Sequence, residues 1–177
     1  MVDVQTLTTM FGGIGIGVAA IYYIFNLRET MKNRRVTMAN NIQQNLLTED
    51  WQLRFIEVLN MQWSDFEDFK RKYDSSVDTK SFAKRQTVLA SYDNLGTQYL
   101  LGALDLDYFK GIAAVGIIVT WLKFKPIIEA YRSWEYPVDS FVGFEYLANA
   151  LLKRYSVSDP DLMKKMNRLL STPVKSQ

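Results

Sequence analysis

Hydrophobic residues recur along this chain in two different ways. From Leu7 to Leu27 (LTTMFGGIGIGVAAIYYIFNL) they form a nearly continuous run with no ionisable side chain except tyrosine, and beyond it they return at spacings of three and four. A helix of about 21 such residues spans roughly 31 Å, matching the hydrocarbon core of a bilayer. The spacing of three and four, without alternating β-branched stretches, predicts helices for the rest. The expected fold class is therefore all-α: one N-terminal transmembrane helix followed by a compact cytoplasmic helical bundle of about five to seven helices. The expected organisation is an N-terminal segment and anchor over 1–27, a juxtamembrane helix or stalk over 28–48, a helical domain over 49–170 and a disordered tail over 171–177.

Within the domain the elements can be placed by their caps and breakers. Met31, Met38, Ile42 and Leu46 form one stripe on the stalk, and Trp51, Phe55 and Leu59 give the next apolar face. Ser64 and Glu67 have capping-box spacing, which predicts a helix start there with Phe66, Phe69 and Tyr73 inward. A long helix is expected from Thr79 to Leu101, with Phe82, Leu89, Tyr92, Gly96 and Tyr99 on its inner face and Gly102 as its stop. Gly111 to Leu122 is too short to cross a bilayer between Lys110 and Lys123 and is expected to be a buried core helix, which Pro126 should kink or restart. Asp139 is placed to cap a further helix carrying Phe141, Phe144, Leu147, Leu151 and Tyr155, and Asp159-Pro160 to start a last one with Leu162, Met166 and Leu169.

The flanks of the first apolar run set its expected orientation. Arg28, Lys32, Arg34 and Arg35 follow it at once, so the positive-inside bias predicts a cell-membrane protein with its N-terminus outside and its domain in the cytoplasm. The same four residues are candidates for contact with anionic headgroups. Only Asp3 is charged before the run and no small-residue cleavage motif follows, so an uncleaved anchor is expected. Thr9, Gly13, Gly17 and Ala20 fall on one helical face, with Gly13 and Gly17 as a GxxxG pair. Such a face allows close packing of two membrane helices, although glycine is also common in membrane helices generally.

Composition narrows the chemistry. The chain has 177 residues, 48% hydrophobic and 14% aromatic, which fits one packed domain plus an anchor. Lys+Arg 21 against Asp+Glu 19 leaves +2, which neither recommends nor excludes a phosphate-rich partner, and no nucleic-acid partner is expected. There is no Cys and no His, which removes thiol nucleophiles, disulfides, most zinc and haem sites and the usual neutral-pH base. Phosphate-loop, dinucleotide and nucleophile-elbow motifs are missing too. No catalytic residue, metal site or cofactor is expected.

From Trp63 onward a family resemblance emerges. Trp63-Ser-Asp-Phe-Glu-Asp-Phe with Tyr73, Tyr92-Asp-Asn-Leu-Gly96, Trp121 with Pro126 and Arg132, and Phe144-Glu-Tyr-Leu147 together resemble the prokaryotic and viral domain of unknown function 4760. The resemblance covers roughly residues 28–155 and implies a small helical domain often preceded by a membrane helix. It implies no activity, cofactor or catalytic residue, and glutamate is commoner in that family where this chain has Asp93.

The remaining polar candidates lie on or beside apolar faces. Tyr92, Asp93, Glu129, Arg132 and Glu145, with Arg54 and Glu57 beside them, are expected to form an inter-helix network with Arg132 pairing Glu145. Such a network is either architectural or the lining of a pocket for a small charged ligand. Asp65, Glu67 and Asp68, and Asp105 with Asp107, read as helix-start residues, with cation binding as the alternative. Lys70-Arg71-Lys72, Lys84-Arg85 and Lys164-Lys165 with Arg168 read as solvated faces, with nucleic-acid binding as the alternative. The function expected is a single-pass membrane-anchored interaction or scaffold module, either an accessory subunit of a membrane complex or a homo-oligomer. The alternatives are a membrane-tethered ligand-sensing regulator and, further off, a carboxylate and metal enzyme.

Overall fold

Seven α-helices and one short 3-10 turn account for nearly all of the described chain, and no strand occurs among the described residues. The computed structural model describes residues 4–171; side chains before Ile16, at several positions between 32 and 45, at Ile112, and at most positions after Met166 are outside the described set. The expected tail over 171–177 lies outside it as well, except for Ser171. The helices are α1 (Val4–Leu46), α2 (Glu49–Asn60), α3 (Phe66–Tyr73), α4 (Thr79–Leu100), α5 (Ile112–Trp134), α6 (Val142–Ser158) and α7 (Pro160–Ser171), with the 3-10 turn at Leu106–Tyr108. The chain divides into two compact units, Met1–Gln43 and Gln44–Gln177.

In the first unit the helical backbone is unbroken across the whole of Leu7–Leu27 and on through Arg28. From Ile16 to Leu27 every side chain is exposed, including Ile16, Val18, Ile21, Tyr22, Tyr23, Ile24, Phe25 and Leu27. Among the described residues no helix is long and apolar enough to cross a membrane. The segment expected to do so lies only partly within that set, because its side chains before Ile16 fall outside.

The core of the second unit is built chiefly on α5. Ala114, Ile117, Ile118, Val119, Trp121, Phe124, Ile127, Ile128 and Tyr131 are buried along it, as its all-round apolar sequence requires. Helix α5 runs through Pro126 without interruption, so the expected restart does not occur. A proline inside a helix removes one amide donor and crowds the preceding turn, but packing on several sides holds the helix together here. The inner face of α4 consists of Arg85, Val88, Leu89, Tyr92, Leu95 and Gly96. Phe82 and Tyr99, expected among them, are only half-buried.

Helices α4 and α6 form the most extensive helix pair, and glycine is the reason they can. A Cβ on Gly96 would stand 1.8 Å from the Gly143 carbonyl oxygen, and one on Gly143 would stand 2.5 Å from the Asp93 carbonyl oxygen. Neither position tolerates any side chain. The caps depart from expectation in two places. The α3 start uses Asp65, whose carboxylate accepts from the Asp68 amide at 2.8 Å, while Asp68 reaches back to the Ser64 amide at 3.1 Å; the reciprocal box is shifted one residue from Ser64 and Glu67. Aspartate is as good an N-cap as serine, and the register follows the burial of Phe69. At α6 the N-cap is Phe141 in the left-handed region (φ 60°), not Asp139. For α7, Asp159 Oδ1 accepts from the Leu162 amide at 3.0 Å as expected.

Candidate functional site

The five polar residues singled out from the sequence do not meet at one point. Arg132 and Glu145 do pair, with Nη1 to Oε2 at 2.6 Å and side chains 15% and 31% exposed. Arg132 Nε and Nη2 also donate to the Ser140 carbonyl at 2.9 and 2.7 Å. All three guanidinium nitrogens are thus committed to the loop and helix that follow α5. This is the geometry of a clamp: it holds the Glu135–Phe141 connection in the shape that places Phe141 at positive φ.

Asp93 works elsewhere, on α4, where it accepts from the Phe144 amide at 3.0 Å. Phe144 lies in the first turn of α6, whose N-cap phenylalanine has no side-chain acceptor to offer. Asp93 supplies that missing cap from α4. Tyr92 is buried in an aromatic cluster, 5.8 Å from Trp51 and 5.4 Å from Phe144 between ring centres. Burial pushes its hydroxyl well above the ordinary tyrosine range, against the smaller opposing effect of a hydrogen bond with Thr120. Glu129 is exposed and pairs with Lys125 one turn away, so it takes no part in any inner network. Arg54 and Glu57 do not join each other: Arg54 pairs with Asp50, and Glu57 with Lys84 of α4.

The acidic groups also resolve into structural roles. Asp68 takes Arg71 Nη2 at 2.5 Å and Lys72 Nζ at 2.8 Å. The Lys72 hydrogen bond, then the Ser64 amide and Arg71, hold its carboxyl far below the usual carboxylate range. Asp105 caps the 3-10 turn, and Asp107 binds Arg154 of α6 at 2.6 Å. Among the described residues no group of three or more acidic side chains is arranged to hold a metal ion.

Of the basic runs, Lys164, Lys165 and Arg168 are exposed and Lys70-Arg71-Lys72 is partly so. Arg85 is the exception: it is 2% exposed, with its guanidinium 4.6 Å above the Phe69 ring and 5.0 Å above the Phe82 ring. Its adjacency to Lys84 in sequence suggested a solvated pair. The available signal was its register, three and four residues ahead of Val88 and Leu89 on the buried stripe of α4.

Of the residues assigned to the first unit, Gly17 is open on all sides and Ala20, Arg28 and Arg34 are exposed. Thr9, Gly13, Lys32 and Arg35 have side chains outside the described set.

Fold and polar groups together define a class: a small all-α domain whose interior polar residues serve as caps and clamps between helices. The sequence matches the family described as Domain of unknown function (DUF4760) over residues 10–151, and the chain belongs to that family. No curated protein and no solved structure matches it.

Proposed function

We infer that this protein is a single-pass membrane-anchored helical interaction module, holding its domain at the cytoplasmic face of the cell membrane as a scaffold or accessory subunit, or as a homo-oligomer. One observation carries the reading. Between Ile16 and Leu27 the exposed apolar side chains point to every side of α1, with Ile16 74%, Phe25 62% and Ile21 57% exposed. Each such side chain gains roughly 1.5–3 kcal/mol on leaving water, and a helix that is apolar all round belongs in lipid or in a protein interior. The preceding stretch from Leu7 to Gly15, LTTMFGGIG, has the same character without a charge, and Arg28 ends the run. The domain's own polar groups support a binding rather than a catalytic role, since the ones singled out for chemistry are engaged in caps and ion pairs.

The test is made on the full chain. Membranes carrying it are washed with alkaline carbonate, and the C-terminal domain is challenged with protease from each side. Retention in the pellet, with cleavage from the cytoplasmic side only, is the expected result; release into the wash without detergent overturns the anchor. Native mass measurement in mild detergent then tests the interaction role. A bare monomer with no co-purifying protein counts against it.

A further inference from the structure

Between Ala83 and Leu101 the outer face of α4 carries no charged side chain. Ala83, Thr87, Ala90, Asn94, Thr97 and Leu101 follow one another at spacings of four, three, four, three and four, all exposed except the half-buried Thr87. Such spacing keeps them in one line along the helix, on the side away from Tyr92 and the core. Leu101, the C-cap, still has helical backbone angles and is 74% exposed. From Gln86 to Leu104 the one ionised side chain is Asp93, which caps α6. Val142 and Tyr146 are exposed on α6, next to the Gly143 that abuts Thr97. There too, from Val142 to Leu152, the one ionised side chain is Glu145, held by Arg132.

A solvated surface in a chain with 23% charged residues would carry free charges along such a length. Their depletion, with apolar and aromatic side chains exposed instead, is the composition of the centre of a protein interface. A face that lies on lipid would be rich in lysine and arginine, and this one is not.

The face is also complementary to itself. When two copies of α4 lie antiparallel and centred at Tyr92, Ala83 meets the partner's Leu101, Thr87 the partner's Thr97, and Ala90 the partner's Asn94. Large then stands against small along the whole seam, as close packing of facing helices requires. The ends agree in charge. Lys80, exposed ahead of the stripe, comes to the end where the partner's Asp105 is exposed just beyond it. Neither forms an ion pair within its own chain among the described residues, whereas their neighbours Lys84 and Asp107 are taken by Glu57 and Arg154. A parallel pair would instead set lysine on lysine and aspartate on aspartate.

We propose that this face binds a second copy of the chain, α4 against α4 in antiparallel packing about a two-fold axis, so that every contact occurs twice. The proposal rests on the interaction role inferred above, for which it names the partner, and is independent of how residues 7–27 are placed.

The test uses the full chain in mild detergent. The chain has no cysteine, so introduced ones report alone. In the antiparallel pair, Ala83 faces the partner's Leu101, while two copies of Ala83, or of Leu101, stand about 27 Å apart at the rise of a helix. A mixture of Ala83→Cys and Leu101→Cys proteins treated with a short bismaleimide should therefore yield a cross-linked dimer, and either protein alone should not. Native mass should be twice that of one chain. Ala90→Arg, which places an unpaired charge at the centre of the seam and away from the core, should return it to that of one chain. Should that variant lose its helical signal, the cysteine pair still decides. Cross-linking within Ala83→Cys alone, or a dimer mass unchanged in folded Ala90→Arg, overturns the α4 pairing and leaves the interaction role standing, the copies being held elsewhere. A single copy that co-purifies with a different protein does the same. A bare monomer overturns both.

Discussion

The Asp93 carboxylate accepts a hydrogen bond from the Phe144 backbone amide at 3.0 Å, joining α4 to the first turn of α6 across 51 positions of sequence. One turn further along α4, Gly96 lies against Gly143, so the bond and the close approach belong to a single contact. Two of the segments that carry the family resemblance, Tyr92–Gly96 and Phe144–Leu147, therefore meet in space.

That contact gives the sharpest stability prediction. Gly96→Ala puts a methyl group into the Gly143 carbonyl, where backbone must move, and should cost about 3 kcal/mol, the upper end for overpacking. Urea unfolding of the purified protein measures it. Gly102→Ala, at φ +67° with open space around it, should cost only about 1 kcal/mol from backbone strain. Equal losses in the two variants would contradict the close helix approach.

Asp93→Ala should destabilise by about 1–2 kcal/mol, because the Phe144 amide loses its acceptor at a helix start. Asp93→Asn should keep most of the stability, since its amide oxygen can still accept. Hydrogen exchange at Phe144 checks the local effect: faster in the alanine variant, nearly unchanged in the asparagine one.

For Arg132 the expected loss is about 2–3 kcal/mol in Arg132→Ala, with two hydrogen bonds to Ser140 and one to Glu145 removed from a half-buried site. Arg132→Lys should recover little, because a point charge cannot serve both acceptors in the plane of a guanidinium. The Phe141 backbone, held at φ 60°, should relax in both. Loss confined to exchange rates around residues 140–145, compared with the rest of α6, distinguishes a loop clamp from a global effect.

Acid should weaken the domain through its capping aspartates. Asp68 is held below its ordinary value of 3.8 chiefly by Lys72, Asp74 by the Ser76 amide and Asp78 by the Ser81 amide. A carboxyl whose folded-state pKa lies below the unfolded one stabilises fully above the unfolded value, and that contribution fades as pH falls toward the folded one. Tm should thus be flat above about pH 5 and drop steeply below the ordinary carboxylate range. The gap in Tm between the unaltered protein and Asp68→Asn should be wide at neutral pH and narrow in acid; a gap independent of pH would remove Asp68 from this role.

Much of the helical domain was legible from pattern alone. The burial of α5, the stripe of α6, the Asp159 cap and the partnership of Arg132 with Glu145 follow from apolar pattern, capping chemistry and the rule that a charge on an apolar face needs a counter-charge. Local rules fell short where two positions are nearly equivalent by themselves. Asp65 and Ser64 are both good caps one residue apart, and the choice between them was made by the packing of Phe69 against Trp63 and Phe124. Pro126 argued locally for a break in α5, yet buried contacts along that helix outweigh one lost amide bond.

The sequence by itself determined the helical class of this protein and its family, because periodicity and side-chain chemistry are local properties. Only the tertiary structure decided which polar groups meet. It sent Asp93 to the α6 amide rather than to Arg132, left Glu129 at the surface, and enclosed Arg85 between phenylalanine rings. Those outcomes depend on how helices distant in the chain rotate and approach, and glycines such as Gly96 and Gly143 set that approach through the side chains they lack.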